Sequence, residues 1–276
     1  MTISRLVSKQ NPLLKTIRLV VAGSRRAPED LVAAEGVRVL EEALRAGCKI
    51  ESAVLSEHFG SAERERHLLK AWISQGIPVH TIDDRLFPSI SGVQAPQGAI
   101  ALIRAPKRSL AAIAPARDAL ILCACGIQDP GNLGTLIRTA AASGVSLVCT
   151  TPGTVSARNP KALRASAGAF FFLPLVEHAQ LQDIVSYCGR HSIRVYRADP
   201  REGLPYSKAD FRKPSALFLG NEGSGMEAEA AARLPAIHIP MAAGTESLNV
   251  AIAGAVILFE AFRQRGYRGR SPVSRA

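Results

Sequence analysis

The chain has 276 residues, too many for one typical domain and too few for three, so two domains are expected. Hydrophobic residues make up 47% and charged residues 21%, which supplies an ordinary core and excludes a disordered chain. Lys and Arg number 34 against 23 Asp and Glu, a surplus of +11 that favours a polyanionic partner, with RNA or DNA ahead of a membrane surface.

The first expected helix runs from about Glu35 to Ala46, where Val37, Leu40 and Leu44 recur at helical spacing and Gly47 is the stop. The apolar runs IESAVLS and IPVHTI follow, separated by a helical stretch at SAERERHLLKAWIS, and GAIALIRAP reads as a further strand. This alternation predicts a small α/β domain over residues 1–105. The basic stretch RAPKRSLAAIAPAR marks its boundary, with residues 106–117 read as a linker. Beyond it, over 118–276, the runs ALILCACGI, VSLVCTT, GAFFFLPL, IRVYRAD, ALFLGNE and AIHIPMA read as strands. Helices are expected at LGTLIRTAAAS, LQDIVSYCGRHS and NVAIAGAVILFEAFRQR, with a basic tail that frays after them. Strands separated by helices predict a mostly parallel sheet covered on both faces.

No apolar run is long enough to span a bilayer, and the opening MTISRLVSKQNPLLK is too charged for a signal peptide. Cys48, Cys123, Cys125, Cys149 and Cys188 are odd in number and form no CxxC pair, and the histidines are scattered. They are expected as small core residues in a reducing cytoplasm, with neither a disulfide framework nor a metal site.

Three segments carry chemistry. In QDPGNLGTLIRTAAASG, Asp129-Pro130-Gly131 turns the chain after a strand and Asn132 reads as the helix N-cap. Leu133, Leu136, Ile137 and Ala140 share the apolar side of that helix, while Asn132, Thr135, Arg138 and Thr139 share the polar side, so Arg138 is presented to solvent. In ALFLGNEGSGM a strand runs into a glycine-rich turn holding Glu222. Gly220, Gly223 and Gly225 permit close backbone approach to a ligand, but the Gly-Lys-Ser/Thr ending of a phosphate loop is missing, which excludes a nucleotide hydrolase of that kind. In AIHIPMAAGTESLNVAIAGAVILFE a strand ends at Pro240, and Ser247 or Asn249 caps a long apolar helix.

In series, Asn132-x5-Arg138, LGNEGSG and IPM-x5-SLNVA resemble the three signature motifs of the SpoU (TrmH-like) methyltransferases of the SPOUT superfamily, a match running through residues 119–263. SKQNPLLK, AAEGVRVLEEALRAG and APQGAIALI are similar, more loosely, to that family's substrate-binding domain. The resemblance implies a trefoil-knotted α/β catalytic domain that works as a homodimer. It implies S-adenosylmethionine as methyl donor, held by Gly220, Ile239 and Leu248 with apolar cover from Met241. The implied catalytic set is Arg138, with Asn132, Glu222, Ser247 and Asn249 positioning it and shaping the pocket. Arg138 serves either as a base or as a charged anchor for the adjacent phosphate. The implied substrate is a ribose 2′-hydroxyl of RNA, with 23S ribosomal RNA ahead of tRNA; a non-catalytic RNA-binding member is the alternative. Lys9, Lys15, Arg18, Arg25 and Arg26 are expected to grip phosphates. Arg158, Lys161 and Arg164, in the loop after TTPGTVS, are expected as a second basic patch near the active site.

Overall fold

The computed structural model describes residues 3–221, 233–243 and 246–268. The chain divides into two compact units: the described residues up to Lys107 with Arg158–Phe171 form unit 1, and those within Arg108–Ala157 and Phe172–Ser274 form unit 2.

Unit 1 opens with β1 (Ser4–Arg5), α1 (Pro12–Val21), β2 (Leu31–Glu35) and α2 (Val37–Arg45), then β3 (Ile50–Ser56), α3 (Glu63–Ser74), β4 (Val79–Ile82) and β5 (Ala99–Arg104). The sheet order is β1-β4-β3-β5-β2, with β5 antiparallel to both neighbours and the remaining pairs parallel. Helix α1 starts where the Asn11 side chain accepts the Leu13 N–H at 2.9 Å and Pro12 takes the first helical turn. It buries Leu14 and Ile17 in a core with Val54, Ile82, Phe87 and Ile100.

Helix α2 does not begin at Glu35. Residues 31–35 form β2, with Glu35 opposite Ile100 of β5, and the helix starts at Val37. The alanines there favour a helix in isolation, but pairing with β5 leaves Ala33 and Ala34 fully covered, so sheet burial overrides local propensity.

In unit 2, β6 (Leu120–Ala124) leads into α4 (Pro130–Ala142) and β7 (Leu147–Thr150). The chain then joins unit 1 with α5 (Pro160–Ala165), which lies against β2. Lys161 and Arg164 are therefore helical residues of unit 1, not loop residues. Asn159, whose side chain accepts the Lys161 N–H, and Pro160 supply the start signal for this helix.

Back in unit 2 come β8 (Leu175–Val176), α6 (Leu181–Arg190), β9 (Arg194–Ala198), β10 (Leu204–Pro205), β11 (Ser215–Leu219), β12 (Ala236–His238) and α7 (Val250–Gln264). The run GAFFFLPL is not one strand. Ala169–Phe171 is a 3-10 turn following the positive-φ residues Ala167 and Gly168, and only Leu175–Val176 pairs, with β7. The seven strands run parallel in the order β10-β12-β9-β11-β6-β7-β8. Their core includes Ile121, Cys123, Cys149, Tyr187 and Phe218, and all five cysteines of the chain are buried free thiols.

Within the stretch read as a linker, Leu110, Ile113 and Ala116 pack on this core, and Ile113 offers its carbonyl to the Tyr187 hydroxyl at 3.0 Å. Apolar side chains at this spacing cover the sheet instead of leaving the segment solvated. Among the described residues no helix is long and apolar enough to cross a membrane.

Candidate active site

The site belongs to unit 2 and lies where the strand order reverses. After β6 the chain moves outward through β7 and β8, then places β9 and β11 on the other side of β6. The carboxyl ends of β6 and β11 therefore open onto diverging connections, the ordinary location of a ligand crevice in parallel sheets.

The turn after β6 is held by two side chains through three hydrogen bonds. The Gly126 N–H donates to Thr154 Oγ1 at 2.9 Å, and the Thr154 hydroxyl donates to the Ala124 carbonyl at 3.1 Å. Asn221, immediately beyond β11, donates its side-chain N–H to the Gly126 carbonyl at 2.9 Å. Sequence reasoning passed over both side chains, although Asn221 lies inside the LGNEGSG motif itself. Thr154 gives no local signal, because its partners come from the strand end thirty residues earlier.

Helix α4 begins at Pro130, not after Asn132. Asp129 is the N-cap, in extended conformation, and its carboxylate accepts the Asn132 N–H at 2.8 Å. Pro130 at the first position makes Asp129 the better cap and moves Asn132 into the first turn. The Asn132 carboxamide is thereby available for a tertiary contact: its Oδ1 accepts a hydrogen bond from Asn249 Nδ2 at 3.1 Å. Asn249, and not Ser247, caps α7, accepting from the N–H groups of Ala251 and Ile252. The first and third motifs thus meet through two asparagines at two helix starts.

Close packing supports that meeting. Leu133, Leu136 and Ile137 of α4 are fully buried, each contributing about 1.5–3 kcal/mol of hydrophobic burial. Gly254 of α7 sits so near α4 that a Cβ there would lie 2.5 Å from Leu136 Cδ2 and 2.7 Å from Leu219 Cδ1. A side chain there would have to displace both buried leucine methyls, so glycine keeps α7 close beside α4 and the end of β11.

Arg138 is exposed on α4, and among the described residues its side chain makes no hydrogen bond or ion pair. Ser247 is exposed, while Gly220, Ile239, Met241 and Leu248 are half-buried beyond β11, beyond β12 and before α7. Glu222, Gly223 and Gly225 lie outside the described residues.

The entry to β12 is pinned by Arg197, which donates to the Leu234 carbonyl at 3.2 Å and pairs with Asp199 and, at 2.8 Å, Glu202. Burial lowers the proton affinity of this guanidinium, but the two carboxylates outweigh it and hold the pKa above the usual arginine range. Asp199 also accepts the N–H groups of Arg201 and Glu202, both at 2.9 Å. This loop reaches Gly203, whose φ of +95° and approach to the Ala236 carbonyl exclude any side chain. Among the described residues no group of three His, Cys, Asp or Glu is placed to hold a metal ion.

A parallel α/β unit with asparagine-linked helix starts at its switch point, joined to a smaller mixed-sheet unit, is the class of protein that fold and site define. The SpoU rRNA Methylase family model matches residues 119–259, and an MRM3-like substrate binding domain model matches residues 11–101. The chain is 28% identical to the 23S rRNA (guanosine(2553)-2′-O)-methyltransferase RlmP of Bacillus subtilis, covering 92% of this chain and 98% of that one. It is 34% identical to the 23S rRNA (guanosine-2′-O-)-methyltransferase RlmB of Xanthomonas campestris over 69% of this chain and 80% of that one. An AdoMet-bound rRNA methyltransferase structure from Sinorhizobium meliloti superposes with a TM-score of 0.81 at 27% identity, covering 95% of this chain and 98% of that one. The chain belongs to the SpoU rRNA methylase family.

Proposed function

We propose that this chain transfers the methyl group of S-adenosylmethionine to a ribose 2′-hydroxyl of 23S ribosomal RNA. Family membership supports the reaction class, and the 23S-directed relatives support the substrate. The observation that carries the site is the Asn132–Asn249 hydrogen bond, which brings the first turn of α4, the helix that bears Arg138 further along, against the helix start that follows Leu248.

The residues present fit a methyl donor. Ile239, Met241 and Leu248 keep apolar surface partly open around a strand end and a helix start, suited to an adenine face, and Gly220 offers main-chain groups without a side chain in the way. When bound, the donor supplies a methyl group already activated on a sulfonium. The protein then has to orient the ribose oxygen and manage its proton.

Arg138 serves as the charged anchor. A guanidinium offers five N–H donors and no acceptor, and this one is exposed on α4, presented to an anionic partner. It binds the phosphate beside the target ribose and stabilises negative charge on the ribose oxygen as the hydroxyl proton passes to solvent and the oxygen takes the methyl group. Asn132, held by Asn249, fixes the first turn of the helix that presents Arg138, and the exposed Ser247 borders the start of α7.

A trefoil knot is supported by the placement of β12 between β9 and β10 and by the return of α7 onto α4 and Leu219. A homodimer is supported by α7, which buries Ala251, Gly254, Leu258 and Ala261 on one side yet leaves Ile252 and Phe259 about half exposed on the other. Ile252 and Phe259 lie seven residues apart, on one stripe suited to a second copy. Five buried free thiols are consistent with a reducing cytoplasm. Residues 1–105 act as the RNA-binding domain and 118–276 as the methyltransferase domain.

The test is mass-spectrometric mapping of 23S rRNA and tRNA incubated with the protein and S-adenosylmethionine. The expected result is one new 2′-O-methylated nucleotide in 23S rRNA. Methylation confined to tRNA, or label on a base carbon, overturns the reading.

A further inference from the structure

In unit 1 an open groove of about 400 Å³ runs between the end of β1 and the turn after β4, lined by Arg5, Leu6, Val7, Lys9, Asp83, Arg85 and Leu86. It holds three cations and one carboxylate. The carboxylate is engaged, since Asp83 Oδ1 accepts the Arg85 N–H at 2.8 Å. Arg5 forms an exposed pair with Glu57 at 2.5 Å, the kind of surface contact that exchanges readily for another anion. The side chains of Lys9 and Arg85 are exposed and have no hydrogen-bond or ion-pair partner among the described residues.

The groove is also built, not merely decorated. Arg18 of α1 donates to the Lys9 carbonyl at 2.5 Å, which fastens the Lys9 loop to the helix. The N–H groups of Leu86 and Phe87 both reach the Asp83 carbonyl, which shapes the turn carrying Arg85. Val7, 79% exposed, places apolar surface among the cations.

Resting on the methyltransferase reading, we propose that this groove grips the phosphodiester backbone of the RNA substrate, with Lys9 and Arg85 as the principal contacts and Arg5 recruited from Glu57. Three cations lining an open groove suit a polyanionic backbone, whereas a free nucleotide calls for an enclosed pocket with base-reading groups. Sequence alone points to Lys9, Lys15, Arg18, Arg25 and Arg26. The structure adds Arg5 and Arg85 from distant sequence positions and gives the Arg18 guanidinium a structural task.

The experiment is filter binding of the full chain to unmethylated 23S rRNA transcript across ~50 to ~200 mM KCl. The K9E/R85E pair is expected to lose about tenfold or more in affinity and to lower the salt slope by about 2, one for each phosphate no longer neutralised. K9Q/R85Q, which introduces no new charge, should show a smaller loss of the same kind. Calorimetric affinity for S-adenosylmethionine and the far-ultraviolet circular dichroism spectrum should be unchanged in both, which shows that unit 2 and unit 1 respectively have folded. K70E/K208E, which reverses two exposed lysines outside the groove, controls for net charge. Wild-type affinity and slope in K9E/R85E overturn the groove assignment, and so does an equal loss in the control pair. Failure of the wild-type chain to methylate any RNA instead removes the methyltransferase reading itself.

Discussion

The two units solve the same packing problem with different sheets, and the difference separates grip from chemistry. Unit 1 mixes parallel and antiparallel pairs, with β5 running antiparallel between β3 and β2, and its charged loops lie open to solvent beside the short edge strand β1. Unit 2 is parallel throughout, so every strand must be reached by a crossover, and all carboxyl ends emerge on one side. That geometry collects Gly126, Asn221, Ile239 and the starts of α4 and α7 from positions far apart in the chain. On the proposed reading, unit 1 offers charge to the RNA, while the parallel unit gathers the residues of the methyl-transfer site.

If this division holds, damage to unit 2 strikes catalysis and damage to unit 1 strikes affinity or pH response. The largest effect is expected for Arg138→Ala, with kcat for methyl transfer to 23S rRNA falling by about 10²–10³-fold while calorimetric donor affinity stays constant. Arg138→Lys keeps the charge but loses the planar fork and should recover only part of the rate. Near-normal turnover in R138A breaks the comparison at its centre.

Next comes Gly254→Ala, which forces a methyl group against Leu136 and Leu219. A destabilisation of about 1–3 kcal/mol in urea unfolding is expected, with loss of donor binding as α7 moves off α4. An unchanged midpoint would show that the helix contact is slack.

Asn249 separates two roles that one side chain combines. Asn249→Ala removes both the α7 cap and the bond to Asn132, costing about 1 kcal/mol of stability together with activity. Asn249→Asp keeps a capping oxygen but loses the donor, so its stability stays near wild type while kcat falls. Wild-type activity in Asn249→Asp would deny the Asn132 contact any part in positioning.

The smallest effect is expected in unit 1. Glu35, 6% exposed, accepts hydrogen bonds from the Ser91 hydroxyl at 2.8 Å and the Gly92 N–H at 3.1 Å. Burial pushes its carboxyl above the ordinary carboxylate range, more than these bonds and the Arg164 charge pull it down. The folded chain therefore keeps this proton to higher pH than the unfolded chain. This contribution to stability falls as pH rises from the unfolded carboxylate range through the folded one. Glu35→Gln should flatten that slope in melts recorded between about pH 4 and pH 8, with methyl transfer at fixed pH little changed.

Local signals make much of this readable from the residues alone. The strands ALILCACGI and ALFLGNE, the amphipathic α4 and the long α7 follow from apolar periodicity, and the family motifs rest on residues adjacent in the chain. Asn11-Pro12 and Asn159-Pro160 are equally legible start signals for α1 and α5, but helices of ten and six residues offer few turns over which a period can be read, and so escape a reading by periodicity. Strand β2 escapes it too, because an alanine-rich segment takes its conformation from the partner that covers it.

Residue type, spacing and charge were sufficient to determine the α/β class, the motif order and the basic character, because each depends on neighbours within a few turns or on a simple sum. Tertiary structure alone decided that Asp129 and not Asn132 caps α4, that Asn132 binds Asn249, and that Arg5 and Arg85 share a groove with Lys9. It also decided that α5 belongs with unit 1. These outcomes depend on which distant segments become adjacent when the sheets close, and a hydrogen bond between residues 117 positions apart leaves no period in the chain to read.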